Sequence, residues 1–189
     1  LDSESDAEVR EAIDLLSVID HPNVIPPLAE LLRSGQPDAI TDRALEALGG
    51  LAHPDGIDVL AQFTWHRRAG ARLRAYRGLA AIDSDRVPKL IERGLRDKDR
   101  TVRGAAAIAL GNIGAKESLD VLFQAFEVGV VEAAIAIGKL GRKSAVERFT
   151  EYLGKRPLGI MLSGYKEFLG REDVPRKTKT AIVSRLGEV

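Results

Sequence analysis

Two histidines have the spacing that a repeated metal-binding position would have. His21 and His53 each precede a proline and lie 32 residues apart (53 − 21). Neutral imidazole is a common zinc ligand, but two ligands of one zinc ion must come within roughly 4 Å of each other. Equivalent positions on stacked helices are about 8–10 Å apart, and a residue before proline avoids helical angles. We therefore predict that both histidines mark turns and that the protein holds no metal.

The second feature whose residue types could bind a ligand or partner is a basic segment with interleaved aromatic residues at positions 65–77. It contains Trp65, Arg67, Arg68, Arg72, Arg74, Tyr76 and Arg77. Such a cluster can bind an acidic peptide, a phosphate or a nucleic-acid backbone. The alternative is a solvated helix face whose arginines pair with nearby carboxylates while Trp65 fills a groove between repeats. If the segment binds a partner, a protein is favoured, because arginine and tryptophan are common interface anchors.

Composition excludes several classes of function. The 189 residues include no cysteine, which rules out disulfides, thiol catalysis and thiolate metal sites. The formal net charge is zero, so no global field favours a polyanion. We find no nucleophile elbow and no glycine-rich phosphate loop, and we predict no catalytic residue, no cofactor, no membrane association and a cytoplasmic location. Because the chain starts on Leu1 and its only methionine is Met161, we expect a processed form or a piece of a longer protein.

The elements that carry these residues recur about every 31 positions. Three columns of apolar residues stay in register over five copies: Ala12, Ala44, Ala75, Ala106 and Ala133; Leu16, Leu48, Leu79, Leu110 and Ile137; Ile19, Leu51, Ile82, Ile113 and Leu140. A period of this size indicates a solenoid of stacked units. A further, mostly small column is predicted to let neighbouring units approach closely: Leu15, Ala47, Gly78, Ala109 and Ala136.

Residues 98–128 show how one unit is built. Asp99 is placed to cap a first helix, and apolar residues follow at helical spacing up to Ile113. Gly114 is placed to end that helix in a left-handed conformation. Ser118 is then predicted to cap a second helix. Each unit is therefore a helical hairpin that must stack on its neighbours to bury its apolar stripe.

The residues of this unit resemble a known repeat. Residues 102–114, Val-Arg-Gly-Ala-Ala-Ala-Ile-Ala-Leu-Gly-Asn-Ile-Gly, closely resemble the HEAT-like repeat first described in phycobilisome lyases. Val9-Arg10, Pro26-Pro27-Leu28 and residues 44–51 resemble it too, whereas the basic third unit departs from it and the sixth matches weakly. The resemblance implies an all-α fold, an α-α superhelix (solenoid) of about six stacked hairpins with the second helices on a concave side. We place the units in one array over residues 1–189, at about 6–35, 36–69, 70–97, 98–128, 129–156 and 157–189, the last being a degenerate cap.

The resemblance favours a non-catalytic protein–protein interaction scaffold or adaptor that presents a concave helical surface to another protein. The contact residues expected from the spacing are Gln62, Trp65, Arg67, Arg68, Arg72, Lys89, Arg93, Arg96 and Gln124. The first alternative is an electrostatic binder of nucleic acid or another polyanion through residues 65–77. It is less favoured because acidic residues that repel phosphate are dense near the start of the chain: Asp2, Glu4, Asp6, Glu8, Glu11, Asp14 and Asp20. The further alternative is a bilin-lyase-like chaperone, which the resemblance implies. The His-Glu pairs of iron-binding hydroxylases with this repeat are not matched.

Overall fold

The computed structural model describes residues 4–19 and 21–187, so Asp2 and Asp20 of the acidic N-terminal group lie outside it. Within these residues the chain forms twelve α-helices and no β-strand, which confirms the all-α solenoid class. No helix in this range has the length and apolar character needed to cross a membrane. The chain divides into two compact units, Leu1–Gly94 and Leu95–Val189. The prediction of one continuous array with the boundaries given above stays a prediction.

The first unit contains three helical hairpins. Its helices are α1 (Glu4–Val18), α2 (Ile25–Arg33), α3 (Asp38–Gly50), α4 (Ile57–Phe63), α5 (Ala69–Ala81) and α6 (Val87–Glu92). The first helices of the hairpins form one layer, in which α3 packs between α1 and α5. The second helices form the other layer, since α2 packs on α3, α4 on α3 and α5, and α6 on α5.

The second unit also contains three hairpins. Its helices are α7 (Arg100–Asn112), α8 (Leu119–Glu127), α9 (Ala133–Leu140), α10 (Lys143–Thr150), α11 (Leu158–Gly170) and α12 (Arg176–Leu186). The helix α9 is central, because it packs against α7, α8, α10 and α11. The last helix, α12, packs on α10 and α11 and buries only Thr178 and Ile182.

The repeated apolar columns form the cores of both units. Eight of their residues are at most 1% exposed: Ala44, Ala75, Ala106, Ala133, Leu48, Leu79, Leu110 and Ile137. The first copy differs, because Ala12 and Ile19 are exposed and Leu16 is only half-buried. In α1 the buried residue is instead Ile13. The face of α1 that carries Ala12 thus lies against solvent, whereas the same face of each later first helix is covered.

The small residues allow the first helices to approach each other closely. A Cβ atom added at Gly49 would lie 2.7 Å from the Cα of Gly78, and one added at Gly111 would lie 2.9 Å from the Cα of Ala136. Both distances are below any normal contact between a Cβ and a backbone carbon. The small column predicted from Gly78 and Ala136 therefore meets a second small column, formed by Gly49 and Gly111 on the preceding helix.

The ends of the helices in residues 98–128 show how far cap prediction succeeds. The Asp99 carboxylate accepts the Thr101 backbone N–H at 2.8 Å, which confirms it as the cap of α7. Gly114 has a φ of +75°, which confirms the predicted left-handed conformation just after the end of α7. The prediction for Ser118 is wrong in its chemistry. It occupies the cap position of α8 but is fully buried, and its side chain makes no capping bond, because a 3-10 turn over Lys116–Ser118 leads directly into the helix.

We expect Gly49→Ala to destabilise the protein by about 1–3 kcal/mol, because its methyl group would overlap backbone and push α3 and α5 apart. The neighbouring Gly50→Ala is the matched control, since a Cβ there meets nothing within 4 Å. Alanine is the better helix former by about 1 kcal/mol, so Gly50→Ala should be neutral or stabilising. Urea denaturation of both variants measures the difference, and equal unfolding midpoints would contradict the close-contact assignment.

Candidate interaction surface around Trp65

All three histidines act as turn caps. The Nδ1 atom of His21 accepts the Asn23 backbone N–H at 3.1 Å, and that of His53 accepts the Asp55 N–H at 3.2 Å. His66 makes the same bond to the Arg68 N–H at 3.2 Å. The geometry confirms the predicted turn role of His21 and His53, and each of these ring nitrogens must be unprotonated to accept its bond. The residues described here contain no group of three or more His, Cys, Asp or Glu side chains able to hold a metal ion.

Two arginines of the basic segment are paired with carboxylates of α3. The Arg68 guanidinium donates to both Asp42 carboxylate oxygens at 2.8 and 3.2 Å, and its Nε lies 2.8 Å from Asp38 Oδ1. The bond to Asp42 raises the pKa of Arg68 above its already high value, so its charge is permanent. Arg74 donates its Nε to Glu46 at 2.8 Å. Both arginines are more than two-thirds buried at the side chain, whereas Asp38 and Glu46 are mostly exposed. These pairs therefore lie at the edge of the contact between α3 and α5 and link the two hairpins.

Arg72 holds the loop before its own helix. It is 4% exposed, and its Nη1 donates to the carbonyls of His66 at 2.8 Å and Arg67 at 3.1 Å. A buried guanidinium needs such partners because water cannot reach it. Although Arg72 was predicted as a contact residue, its guanidinium bonds to the protein's own backbone, and its burial leaves no surface for a partner.

The same loop contact recurs at the repeat spacing. Arg103 donates to the carbonyls of Asp97 at 2.8 Å and Lys98 at 3.2 Å, and Thr41 Oγ1 donates to the carbonyl of Gln36 at 3.1 Å. Positions 41, 72 and 103 are each 31 residues apart (72 − 41, 103 − 72). Sequence reasoning missed this column because its members differ in residue type, although the repeat register itself could have found it.

Trp65 is the most exposed aromatic side chain among the residues described, at 77%. Its backbone is nevertheless fixed, because its N–H bonds to the Gln62 carbonyl at 3.2 Å as α4 ends. Thr64 beside it is buried, and its hydroxyl donates to the Ala61 carbonyl at 2.7 Å. The alternative in which Trp65 fills a groove between repeats is wrong, since the indole lies in solvent at the end of a rigid turn.

The other predicted contact residues are exposed but lie in different places. Gln62 and Arg67 flank Trp65 at the end of α4, and both are exposed. Lys89 and Arg93 are exposed at α6, where Lys89 pairs with Glu92 at 2.9 Å. Arg96 and Gln124 are exposed in the second unit. The end of α4 therefore supplies one local surface, defined here as the Trp65 surface and formed by Gln62, Trp65 and Arg67.

The electrostatics of this turn depend on His66, whose ring stacks on Phe63 with centroids 5.7 Å apart. Partial burial lowers the pKa of His66 below its ordinary value, and the positive charges of Arg68 and Arg67 lower it further. A lowered pKa means that the unfolded chain takes up this proton at a higher pH than the folded protein does. The contribution of His66 to stability is therefore present above about pH 6.5 and is lost as the pH falls through the folded-state value.

We expect the free energy of unfolding of His66→Asn to fall less steeply than that of the parent protein between about pH 7.5 and pH 5. An asparagine side chain can accept the same Arg68 N–H without titrating. Urea titrations at a series of pH values measure the slopes, and the difference between the two proteins isolates the His66 contribution. Identical slopes for the two proteins would contradict it.

We expect Arg72→Ala to destabilise the protein by about 1–3 kcal/mol, because two hydrogen bonds that tie the loop to α5 are lost from a buried position. Arg67→Ala removes the same charge and the same number of atoms from an exposed position, and it should change stability by less than about 0.5 kcal/mol. Thermal unfolding of the two variants gives the comparison. Equal unfolding temperatures for the two variants would contradict the structural role of Arg72.

Comparison with known proteins supports the fold assignment. A sequence model of HEAT repeats matches residues 66–132. The structure of the CpcE–CpcF complex of phycocyanin lyase from Nostoc sp. PCC7120 is similar with a TM-score of 0.59 and 15% sequence identity, covering 100% of this chain and 91% of that chain. No curated protein matches the sequence.

Two engineered proteins are also similar, and both give a TM-score of 0.54. One is 21% identical over 98% of this chain, which spans only 59% of its length, and the other is 22% identical over 99% of this chain and 90% of its own. Identities this low show the fold alone. The predicted resemblance is confirmed, because residues 66–132 match a model of HEAT repeats and the fold is shared with these solved structures.

Proposed function

We propose that this chain is a non-catalytic protein-interaction module, a scaffold or adaptor that binds another protein through the Trp65 surface. The observation that carries the proposal is an indole that is 77% exposed on a backbone held by helix-end hydrogen bonds. A rigid, exposed tryptophan loses little conformational freedom on binding and buries a large apolar area. HEAT repeats typically bind proteins, which agrees with this role, and the cytoplasmic location stays a prediction.

Charge favours a protein over a polyanion as the partner. Of the five arginines in residues 65–77, Arg68 and Arg74 are paired with α3 carboxylates and Arg72 bonds to backbone carbonyls. Arg67 and Arg77 remain exposed. A nucleic-acid site needs several cations aligned along a phosphate backbone, and the local supply of charge here is small. The Trp65 surface instead combines one indole, one amide and one guanidinium, a mixture typical of protein interfaces.

The chaperone-like alternative has a single source of support, the likeness to the phycocyanin lyase structure. That likeness concerns the fold, at 15% identity. An indole and a guanidinium suit a protein as well as a tetrapyrrole, so the Trp65 surface gives the chaperone-like alternative no separate support. We therefore keep protein binding as the proposed function and the absence of catalysis as part of the proposal.

Site-specific photocrosslinking tests the proposal. A photoreactive amino acid replaces the exposed Arg67, which flanks Trp65, in one variant and the exposed Val128 in the control variant, since Val128 lies in a turn of the other unit and is 81% exposed. We expect a discrete crosslinked protein band from position 67 and none from position 128. The captured partner is then purified and its dissociation constant measured directly.

Against that purified partner, Trp65→Ala should raise the dissociation constant more than about tenfold, as expected for an interface anchor. Binding should also persist between about 50 and 200 mM salt, whereas binding to a polyanion would collapse over that range. Equal crosslinking from both positions, or unchanged affinity of Trp65→Ala, would refute the Trp65 surface as the binding site.

A further inference from the structure

One face of α1 is apolar and exposed. Leu15, Val18 and Ile19 are 65%, 83% and 49% exposed. Leu15 occupies the repeat position that Gly78 has in α5 and Ala136 has in α9. In α5 and α9 the preceding first helix covers this position. The exposed face of α1 therefore corresponds to the face that α3 and α5 pack against the preceding first helix.

The charge beside this apolar face is acidic. The helix α1 contains five acidic residues and one basic residue. Glu11 and Glu8 are exposed on the same side of α1, one and two turns before Leu15 respectively. Asp14 is held differently, because Arg43 of α3 donates to its carboxylate and lowers its pKa. The acidic edge available to a partner is thus formed by Glu8 and Glu11.

The second unit contains a groove of the opposite charge. It lies between α10 and α12 and has a volume of about 910 Å³. Val146, Thr178 and Ile182 form its floor, and the small side chain of Ala181 leaves the space open. Lys177 and Arg185 stand along the α12 lip, and α12 as a whole has four basic residues and no acidic one. The opposite lip is mixed, since Lys143 lies 3.7 Å from Glu147 and Glu151 is nearby.

We propose that the exposed face of α1 docks into the α10–α12 groove of a second copy of this chain. The apolar stripe supplies the side chains that the groove can bury, and the Glu8–Glu11 edge meets Lys177 near the start of α12. The lengths agree: Glu8 to Ile19 and the eleven residues of α12 each span about 16 Å at a rise of about 1.5 Å per residue. Burial of the stripe supplies affinity, and the charges set its orientation.

Two other arrangements of the copies fit less well. A symmetric contact of α1 with α1, or of α12 with α12, would bring like charges together. A simple continuation of the stack would place Leu15 against the forward face of α11. Where interior helices have Gly49, Gly111 or Gly138 on that forward face, the repeat register places Lys166 in α11. Leucine and lysine cannot approach as closely as those glycines do.

The contact uses different surfaces on the two copies, so it is heterologous and propagates beyond a dimer unless it closes into a ring. Sedimentation velocity over a range of concentrations tests this directly. We expect the mean mass of the parent protein to rise with concentration and to fall towards the monomer as salt increases. A chain that stays monomeric at about millimolar concentration and low salt would overturn the proposal.

Charge reversal identifies the two surfaces. Glu8→Lys with Glu11→Lys, and separately Lys177→Glu, should each raise the apparent dissociation constant at least about tenfold. Mixing the two variants should restore association between them, because the reversed charges are again complementary. The control is Asp83→Lys with Asp85→Lys, which makes the same change in net charge as Glu8→Lys with Glu11→Lys. Both positions are exposed between α5 and α6, so this variant should leave association unchanged.

A further variant tests the apolar stripe without changing any charge. Circular dichroism checks that every variant folds. Leu15→Ser with Val18→Ser should abolish association, because it removes the apolar surface that the groove buries. The variant should still fold, because both side chains are exposed and contribute little to the core. Trp65→Ala should not affect it, which separates this contact from the Trp65 surface. Association that survives both the charge reversals and the serine substitutions would show that other surfaces are responsible.

Discussion

The close approach of successive first helices is the constraint on which the structure depends. At Gly49 and Gly78 the two backbones meet with no room for a Cβ atom, and at Gly111 the next helix is as near. Only at this separation do the leucines and isoleucines of neighbouring hairpins fill the space between them at normal packing density. The contacts between successive first helices are therefore built from glycine and alanine. Larger side chains are buried elsewhere in the second unit, where Phe123 and Phe126 of α8 and Phe149 of α10 are at most 2% exposed.

The same constraint explains why the basic segment is mostly structural. When α5 lies close to α3, the α3 carboxylates Asp42 and Glu46 come within reach of Arg68 and Arg74. The loop that joins the two hairpins must turn sharply, and its carbonyls then need a donor, which Arg72 provides. Surface ion pairs contribute little by themselves, but these arginines also replace solvent for groups that the stack has buried. Most arginines of a segment that the sequence suggests as a docking site are therefore bonded within the protein itself.

The sequence predicts the fold much better than the site. The columns through Ala75 and Leu79 follow from periodicity alone, because any hairpin with this register must bury them. The exposure of Trp65 does not follow, since an aromatic residue at the end of a second helix could equally lie in a groove between hairpins. Likewise Arg72 and Arg67 are identical in type and only five positions apart, yet one is buried and the other is exposed. Their difference arises from how α5 begins relative to the loop, which only the packed structure fixes.

A net charge of zero conceals how charge is arranged along the chain. Within each unit, acidic residues of one hairpin pair with basic residues about 28 positions later: Arg86 donates to Asp58 at 2.5 Å and Arg148 donates to Asp120 at 3.0 Å. These pairs neutralise each other locally and leave no field. The helices α1 and α12 depart from that balance in opposite directions, the first acidic and the second basic. These two contributions cancel only in the total for the chain. Each region therefore presents its own sign to a partner, and an account of what this protein binds must begin from these local charges rather than from the total.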